Sequence, residues 1–293
     1  ESATRSPVRA PQAAGSLDQL VGGNPPPMNE DCLQLNVFTP ARDNGTRPVL
    51  VWIHGGAFTN GTVHVPWYDG AALVGRGDVV VVSINYRLGA LGYLGDTNCG
   101  TLDKVSALRW VQRHIADFGG DPNNVTVFGE SAGGSGIVAL FATPAADGLF
   151  HRAWAMSPSI LQLRTSEQAV AYQRTFLGLL GTDSLAAAKT ASLDDILDAQ
   201  NRMPLSGVGL KNFSPTEGCD SIPEPILGVA AADPRPLVIG TTRDEMLLFT
   251  TFDPSRASWT DAEVDLQFAQ RFGAKSDEAV AEYRRLRPDT NPS

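Results

Sequence analysis

One five-residue segment, Gly-Glu-Ser-Ala-Gly at 129–133, restricts the fold of this chain more than any other. The β-branched and aromatic run 125–128 comes before it, and small residues suited to the start of a closely packed helix follow at 134–137. A strand that turns straight into a helix needs glycines on both sides of the turn residue, whose side chain is left exposed at the carboxyl end of the sheet. The segment therefore predicts a nucleophile elbow, with the hydroxyl of Ser131 over a helix N-terminus.

A second turn of small residues, His-Gly-Gly-Ala at 54–57, follows the apolar segment 51–53. On its own, this pattern fits an ordinary glycine turn after a buried strand equally well. Together with a nucleophile elbow it favours an oxyanion loop, because N–H groups placed where negative charge develops lower an acyl-transfer barrier by about 3 kcal/mol or more each. The amides of Gly56, Ala57 and Ala132 are the three predicted donors.

Strand-like segments alternate with helical ones along the chain. The apolar run 79–84 is typical of a parallel strand buried on both faces. Apolar residues recur every three to four positions over 102–118, which predicts a crossover helix ended by the glycines at 119–120. The alternation predicts an α/β fold with a mostly parallel sheet and helices on both faces, a largely helical excursion at about 160–235, and loop over 1–29. The predicted strands are 33–39, 49–54, 79–86, 125–129, 151–157 and 236–241.

The order of these motifs resembles that in the type-B carboxylesterases, the cholinesterase-like α/β-hydrolases. Further matching segments, which extend the resemblance over nearly the whole chain, are Glu-Asp-Cys-Leu-Gln-Leu-Asn-Val at 30–37, Phe-Gly-Gly-Asp-Pro at 118–122, Gly-Leu-Phe-His-Arg-Ala at 148–153 and Gly-Thr-Thr-Arg-Asp-Glu at 240–245. The last segment and the Gly-Gly-Ala turn look more like bacterial esterases than animal cholinesterases. The resemblance implies an α/β-hydrolase fold in a single partial domain over 1–293, and a serine carboxylesterase with an acyl-serine intermediate and no metal or organic cofactor.

The resemblance also implies which residue is the acid of the catalytic triad. In the family this is a glutamate after a strand, and here the strand 236–240 leads to Glu245. Such an acid orients the catalytic histidine and stabilises its imidazolium. Asp244 is the alternative. Ser157 matches a family serine that supports the acid, although Pro158 stands where relatives commonly carry glycine.

The general base is the part of the triad that the sequence does not supply. In α/β-hydrolases the chain order is nucleophile, acid, histidine, whereas His54, His64, His114 and His151 all precede Glu245. His64 follows the oxyanion glycines and is a loose candidate, but its chain order is wrong. The other three are expected to be structural or part of the oxyanion loop.

Two explanations of the missing base remain open. In the first, which we favour, the sequence is a piece of a longer chain, because it starts at Glu1 without a methionine, lacks the first strands and the last strand of the family, and stops before the family's histidine. In the second, the whole molecule is present, and Ser131 keeps only a residual activity that is about 10⁴-fold to 10⁶-fold weaker. Without the last strand, the edge of the 236–241 strand is open, which is expected to promote self-association.

Charge and composition limit the remaining function classes. The net charge of −9, without clustered Lys and Arg, excludes nucleic acid as a partner. No apolar run reaches the roughly 18 residues of a membrane-spanning helix, and the chain begins without the apolar core of a signal peptide. The cysteines Cys32, Cys99 and Cys219 are an odd number without metal spacing, so at least one thiol is unpaired within the chain. A cytoplasmic location is favoured, while secretion stays open because a signal peptide can precede Glu1.

The resemblance implies a small-molecule ester as the substrate, with p-nitrophenyl or naphthyl acetate as test compounds. A choline ester is not expected, because cholinesterases carry a tryptophan where this chain has Leu-Val-Gly-Gly-Asn at 20–24. Phe58, Phe249 and Phe252 are candidates to line an apolar pocket, although such aromatic residues are as often plain core. The alternative function is a non-catalytic interaction protein of the same fold. Such members usually lose the nucleophile, whereas Ser131 is present here.

Overall fold

The computed structural model of the protein describes residues 6–13, 25–205, 213–245, 247 and 259–288. It divides the chain into two compact units, Glu1–Thr241 and Thr242–Ser293. The first unit contains the sheet, and the second contains a pair of helices. The single domain expected over 1–293 stays a prediction.

The strands of the first unit alternate with helices as the sequence predicts. The described strands are β1 (Leu35–Phe38), β2 (Arg47–Ile53), β3 (Val80–Ile84), β4 (Gly120–Glu130), β5 (Arg152–Met156), β6 (Arg164–Thr165), β7 (Thr216–Glu217) and β8 (Leu237–Gly240). Six of them form one sheet in the order β1, β3, β2, β4, β5, β8, and β6 pairs with β7 separately. In the large sheet β1 is antiparallel to β3 and every other pair is parallel. This confirms the predicted strands and the mostly parallel sheet.

The centre of the sheet lies in the hydrophobic core. All five residues of β3 are buried, and alternate residues of β2 and β4, such as Val51 and Val127, have no exposed surface. Full burial of a Val or Ile side chain contributes about 1.5–3 kcal/mol. β4 begins earlier than the predicted strand at 125–129, because Gly120 already pairs with Arg47 before the register shifts.

The crossover helix that the sequence predicts after β3 is present. The described helices of the first unit are α1 (Ala71–Arg76), α2 (Gly89–Tyr93), α3 (Cys99–His114), α4 (Ala132–Phe141), α5 (Ser166–Leu180), α6 (Leu185–Ala188), α7 (Leu193–Arg202) and α8 (Ile226–Ala232). The crossover helix is α3, which buries Val105, Leu108 and Val111 against the sheet side of the core. A 3₁₀ turn at Ile115–Phe118 continues it to Gly119, which has a φ of 75° and donates its amide to the Ala116 carbonyl at 3.0 Å. A left-handed glycine at this position is a common way to end a helix.

The excursion at 160–235 contains α5, α6, α7, α8 and the short pair β6 and β7. It is therefore largely helical where it is described, as predicted, and residues 206–212 lie outside the described residues. The described parts of the expected loop at 1–29 contain one isolated bridge, between Arg9 and Met28, and no helix or strand.

Arg164, at the beginning of this excursion, is a buried cation with only 1% of its surface exposed. Its guanidinium donates to the carbonyls of Tyr93 at 2.7 Å and Gly95 at 3.0 Å, and to the Thr216 hydroxyl at 3.1 Å. Burial lowers the pKa of Arg164 to about 10. These bonds fix the start of the excursion to the segment that follows α2.

The end of the sheet at β8 carries apolar residues with exposed side chains. β8 is the last strand in the sheet order, and Val238 and Ile239 are 61% and 56% exposed. Among the described strands, this end of the sheet is therefore apolar, and the open edge stays a prediction. Self-association through it stays a prediction.

The second unit contains the helices α9 (Asp261–Phe272) and α10 (Ser276–Leu286). Phe268 packs on Phe272 with ring centroids 5.4 Å apart and on Tyr283 at 5.3 Å, which joins the two helices. Within the described ranges of both units, no helix is long and apolar enough to cross a membrane.

Candidate active site

The turn between β4 and α4 places Ser131 in a strained backbone conformation. Its φ of 54° and ψ of −121° are rare for a residue with a side chain. The Ser131 amide donates to the Met156 carbonyl at 2.9 Å, and the Ser131 carbonyl accepts from the amide and the hydroxyl of Ser135 at 2.9 and 3.1 Å. These three bonds hold the turn, and the predicted strand–turn–helix unit is present.

The glycines on both sides of Ser131 are required by the close approach of β2. A Cβ added at Gly129 would lie 2.6 Å from the Ile53 carbonyl oxygen. A Cβ added at Gly133 would overlap the same oxygen and lie 3.0 Å from the His54 carbonyl oxygen. Because the end of β2 passes so close to the elbow, the loop that follows β2 lies directly beside Ser131.

That loop, the predicted oxyanion loop, makes a tight turn. Three consecutive residues have positive φ, namely Gly56 at 110°, Ala57 at 55° and Phe58 at 59°. The Gly56 carbonyl accepts from the amides of Thr59 at 3.0 Å and Asn60 at 2.9 Å, which closes the turn.

The loop and the elbow are in contact. A Cβ added at Gly55 would lie 3.2 Å from the Cβ of Ser131.

The three predicted oxyanion donors are free to bind a ligand. The amides of Gly56, Ala57 and Ala132 donate no hydrogen bond to any residue that the structure describes. Ala132 is the first residue of α4, so the partial positive charge of a helix N-terminus adds to its amide. The arrangement can therefore stabilise an oxyanion beside the Ser131 hydroxyl.

The oxyanion loop is held from the N-terminal segment, a support that the sequence analysis missed. The buried side-chain amide of Gln12 donates to the Gly61 carbonyl at 2.9 Å and accepts from the Gly61 amide at 2.8 Å. Asn60 donates to the Ala13 carbonyl at 2.6 Å. The segment is rich in Pro and Ala, and no local pattern distinguishes Gln12 from an ordinary loop residue.

His54, at the start of the loop, has the environment of a structural residue. Its Nδ1 donates to the Gly55 carbonyl at 2.8 Å, and its ring stacks on Tyr86 with centroids 4.5 Å apart. Its Nε2 is buried and has no hydrogen-bond partner among the described residues. Burial lowers the pKa of His54 to about 4, opposed by the Gly55 bond and assisted by the charge of Lys104. At neutral pH His54 is therefore an uncharged ring in the core.

The other three histidines are also engaged away from Ser131. His64 hydrogen-bonds the Gln34 side chain at 3.2 Å, and burial lowers its pKa. His151 accepts from a backbone amide of β4 at 3.1 Å. His114 lies at the end of α3, with its ring 5.2 Å from that of Trp110. Within the described residues, no side chain hydrogen-bonds the Ser131 hydroxyl.

The structure describes the two predicted acids and the predicted supporting serine in different units. Ser157 lies in the first unit, has a φ of 45°, and donates its amide to the Gly240 carbonyl at 2.7 Å. Glu245 lies in the second unit, where it is exposed and accepts from the Thr242 amide at 2.6 Å. Asp244 pairs with Arg243 at 2.8 Å, and this hydrogen bond lowers its pKa. The first unit thus brings together Ser131 and the loop that carries the predicted donors, and the catalytic roles of all these residues stay predictions.

Of the three phenylalanines proposed to line an apolar pocket, the structure describes one. Phe58 is fully buried and packs edge-on against Tyr93 with ring centroids 5.2 Å apart, so it belongs to the core beneath the loop. Phe249 and Phe252 lie outside the described residues. The described residues also contain no cluster of three His, Cys, Asp or Glu side chains suited to hold a metal ion.

Comparison with known proteins gives close matches. A model of the carboxylesterase family matches residues 1–287. The para-nitrobenzyl esterase of Bacillus subtilis (strain 168) is 42% identical over 259 residues, which are 83% of this chain and 53% of that protein. The phenmedipham hydrolase of Pseudarthrobacter oxydans is 38% identical over 278 residues, with 89% and 56% covered. A carboxylesterase structure from Geobacillus stearothermophilus superposes with a TM-score of 0.83 at 36% identity, with 97% of this chain and 60% of that chain covered. The chain spans just over half the length of these curated relatives.

Proposed function

Because the chain belongs to the carboxylesterase family, we propose that it carries the nucleophile and the oxyanion hole of a serine esterase. Its sheet and helices have the α/β-hydrolase fold. The observation that carries the proposal is the position of Ser131, in a strained turn that contacts a loop with free backbone amides. Strain at a serine beside such donors has no structural advantage of its own and is typical of acyl-transfer sites.

The proposed reaction is hydrolysis through an acyl-serine. Ser131 Oγ attacks the ester carbonyl carbon while a histidine takes its proton, and the carbonyl oxygen becomes an anion that the amides of Gly56, Ala57 and Ala132 bind. The C–O bond to the alcohol then breaks, and the histidine returns the proton to the departing alcohol. Water, deprotonated by the same histidine, then attacks the acyl carbon. The bond from this carbon to Ser131 Oγ breaks, the histidine returns the proton to Oγ, and the carboxylic acid leaves.

The general base in this proposal is a histidine other than His54, His64, His114 and His151, since each of these is engaged elsewhere. Glu245 is the proposed acid that orients this histidine, and its carboxylate already accepts a hydrogen bond from the Thr242 amide at 2.6 Å. Ser157 is the proposed support of the acid.

The proposed substrates are short-to-medium carboxylic esters of small molecules. The names of two relatives, a para-nitrobenzyl esterase and a phenmedipham hydrolase, support small aromatic substrates. We therefore choose p-nitrophenyl acetate as the test substrate.

The proposal is tested by covalent labelling and turnover on one preparation. A fluorophosphonate should add a single phosphonyl group to Ser131, and p-nitrophenol should be released from p-nitrophenyl acetate. Ser131→Ala should abolish both, whereas Ser106→Ala, on the exposed face of α3, should match the wild type. Intact mass identifies the chain in the sample. A folded sample whose mass exceeds that of residues 1–293 and that shows neither labelling nor turnover would overturn the proposal and favour the alternative, a non-catalytic interaction protein of the same fold. A mass that matches residues 1–293, with neither signal, would mean an inactive fragment or such a binding protein, to which the proposed reaction does not apply.

A further inference from the structure

Lys104 of α3 is a fully buried lysine that the proposed reaction does not use. Its Nζ lies 3.4 Å from the centre of the Tyr86 ring, 5.4 Å from that of Tyr93 and 5.7 Å from that of Phe58. It donates to the Tyr93 hydroxyl at 2.6 Å and to the Gly100 carbonyl at 3.2 Å. These three rings form what we call the lysine cage.

In the part of the chain that the structure describes, no carboxylate pairs with this amine. The neighbouring Asp103 is bound by Arg87, which donates to its two carboxylate oxygens at 2.8 and 2.7 Å. Within the described residues, Lys104 forms no ion pair. Burial lowers the pKa of Lys104 well below its ordinary value, and the charge of Asp103 opposes this only in part. Lysine is almost never fully buried without a partner charge, and an apolar side chain would fill this space at lower cost.

The lysine cage is joined directly to the oxyanion loop. The Tyr86 hydroxyl donates to the His54 carbonyl at 2.8 Å, and the Tyr86 ring stacks on the imidazole of His54. At the other end of the loop, Phe58 packs edge-on against Tyr93, and its carbonyl accepts from the amide of Gly89 at 2.7 Å. The cage rings therefore contact residues 54 and 58, which lie on either side of the two loop amides, 56 and 57, that are proposed to bind the oxyanion.

We propose that Lys104 is a positioning residue for ester hydrolysis, which through Tyr86 and Phe58 fixes the backbone of loop residues 54–58 and so aims the amides of Gly56 and Ala57. This inference rests on the proposed function. The Nζ of Lys104 lies over the electron-rich face of the Tyr86 ring, which attracts N–H groups, and it fixes the Tyr93 hydroxyl by a hydrogen bond. Because the amides of an oxyanion hole must be held within about 0.5 Å of their productive positions, loss of this support should slow the chemical step and leave binding of the substrate unchanged.

The first test compares Lys104→Met with Val111→Ala. Methionine keeps most of the side-chain volume and removes the amine, whereas Val111 is a buried residue of the same helix about 10 Å farther along its axis. Hydrogen exchange followed by mass spectrometry should show roughly tenfold faster exchange of the Thr59 and Asn60 amides in Lys104→Met and wild-type exchange in Val111→Ala. With p-nitrophenyl acetate, kcat should fall between about tenfold and about 100-fold with KM unchanged.

Tyr86→Phe provides a second variant that leaves the cage filled and removes only the hydroxyl bond to His54. It should accelerate hydrogen exchange of the same two amides. In the double variant with Lys104→Met, exchange should be no faster than in the more severe single variant, because both substitutions act on one contact. If Lys104→Met fails to fold, Tyr93→Phe, which removes the hydroxyl that Lys104 holds, takes its place in the same comparison and should accelerate the same exchange.

If the Thr59 and Asn60 amides exchange in both variants at the rate seen in Val111→Ala, the inference is overturned, even if turnover falls. A rise in KM with unchanged kcat would overturn it as well. If the wild type neither labels nor hydrolyses the ester, the proposed function fails, and the exchange measurement still shows separately whether Lys104 fixes the loop.

Discussion

Replacement of Gly133 by alanine tests whether the contact between β2 and the elbow is as close as the structure indicates. The added Cβ would lie 2.9 Å from the carbonyl carbon of Ile53 and closer still to its oxygen, whereas ordinary contacts begin at 3.4 Å. The end of β2 and the start of α4 would have to separate by about 1 Å, and overpacking of this kind costs about 1–3 kcal/mol. A displacement of about 1 Å between the nucleophile and its oxyanion donors can cost about 100-fold in rate.

The assay measures thermal unfolding and kcat/KM for p-nitrophenyl acetate in Gly133→Ala and in Gly178→Ala. Gly178 lies on the exposed face of α5, and a Cβ there meets no atom within 4 Å. Its replacement should stabilise the helix by about 0.5–1 kcal/mol without changing turnover. We expect a lower melting temperature and about 100-fold lower kcat/KM only in Gly133→Ala. Wild-type melting and turnover in that variant would refute the steric reasoning.

Three further predictions follow from the same contacts. Gln12→Ala removes two hydrogen bonds to Gly61 and should lower the free energy of unfolding by about 1–3 kcal/mol in urea denaturation, with the loss of p-nitrophenyl acetate turnover as a second readout. The pKa of His54 is about 4 in the folded protein and 6.5 in the unfolded chain, so the unfolded state binds the extra proton between these pH values. The free energy of unfolding should therefore fall by about 2 kcal/mol from pH 7 to pH 5, and His54→Gln should remove this part of the pH dependence. Val238→Lys, at the exposed edge of the sheet, should reduce concentration-dependent association in sedimentation velocity, whereas Leu161→Lys, exposed elsewhere, should not.

The sequence was sufficient to predict the elements whose geometry depends on local residue type. The elbow and the oxyanion loop contain glycines at the points where an added Cβ would meet backbone atoms, so their pattern in the chain reports the turn directly. The buried strands and the crossover helix have the apolar periodicity that their environment requires. The largest displacement is the start of β4, five residues before the predicted one, because its pairing with Arg47 follows an irregular register that no local pattern shows.

The supports of the site were not predictable because their partners are distant in the chain. Gln12 acts on a residue 49 positions away, and it is a single polar residue in a loop-like segment. Lys104 occupies a position of α3 that helical periodicity assigns to the core, yet the residue type suggests a solvated surface. Neither residue has a signal in the sequence until the fold places aromatic rings or backbone groups around it.

The bonds of Arg164 limit how the helical excursion can move. To swing away from the segment that follows α2, the start of the excursion would have to break the two hydrogen bonds that the buried Arg164 guanidinium donates to the Tyr93 and Gly95 carbonyls, each worth about 1.5–3 kcal/mol. An opening that costs at least about 3 kcal/mol is present in fewer than about one molecule in a hundred at equilibrium. The excursion therefore does not work as a lid hinged at residue 164, and any motion that admits an ester must leave this end of it in place.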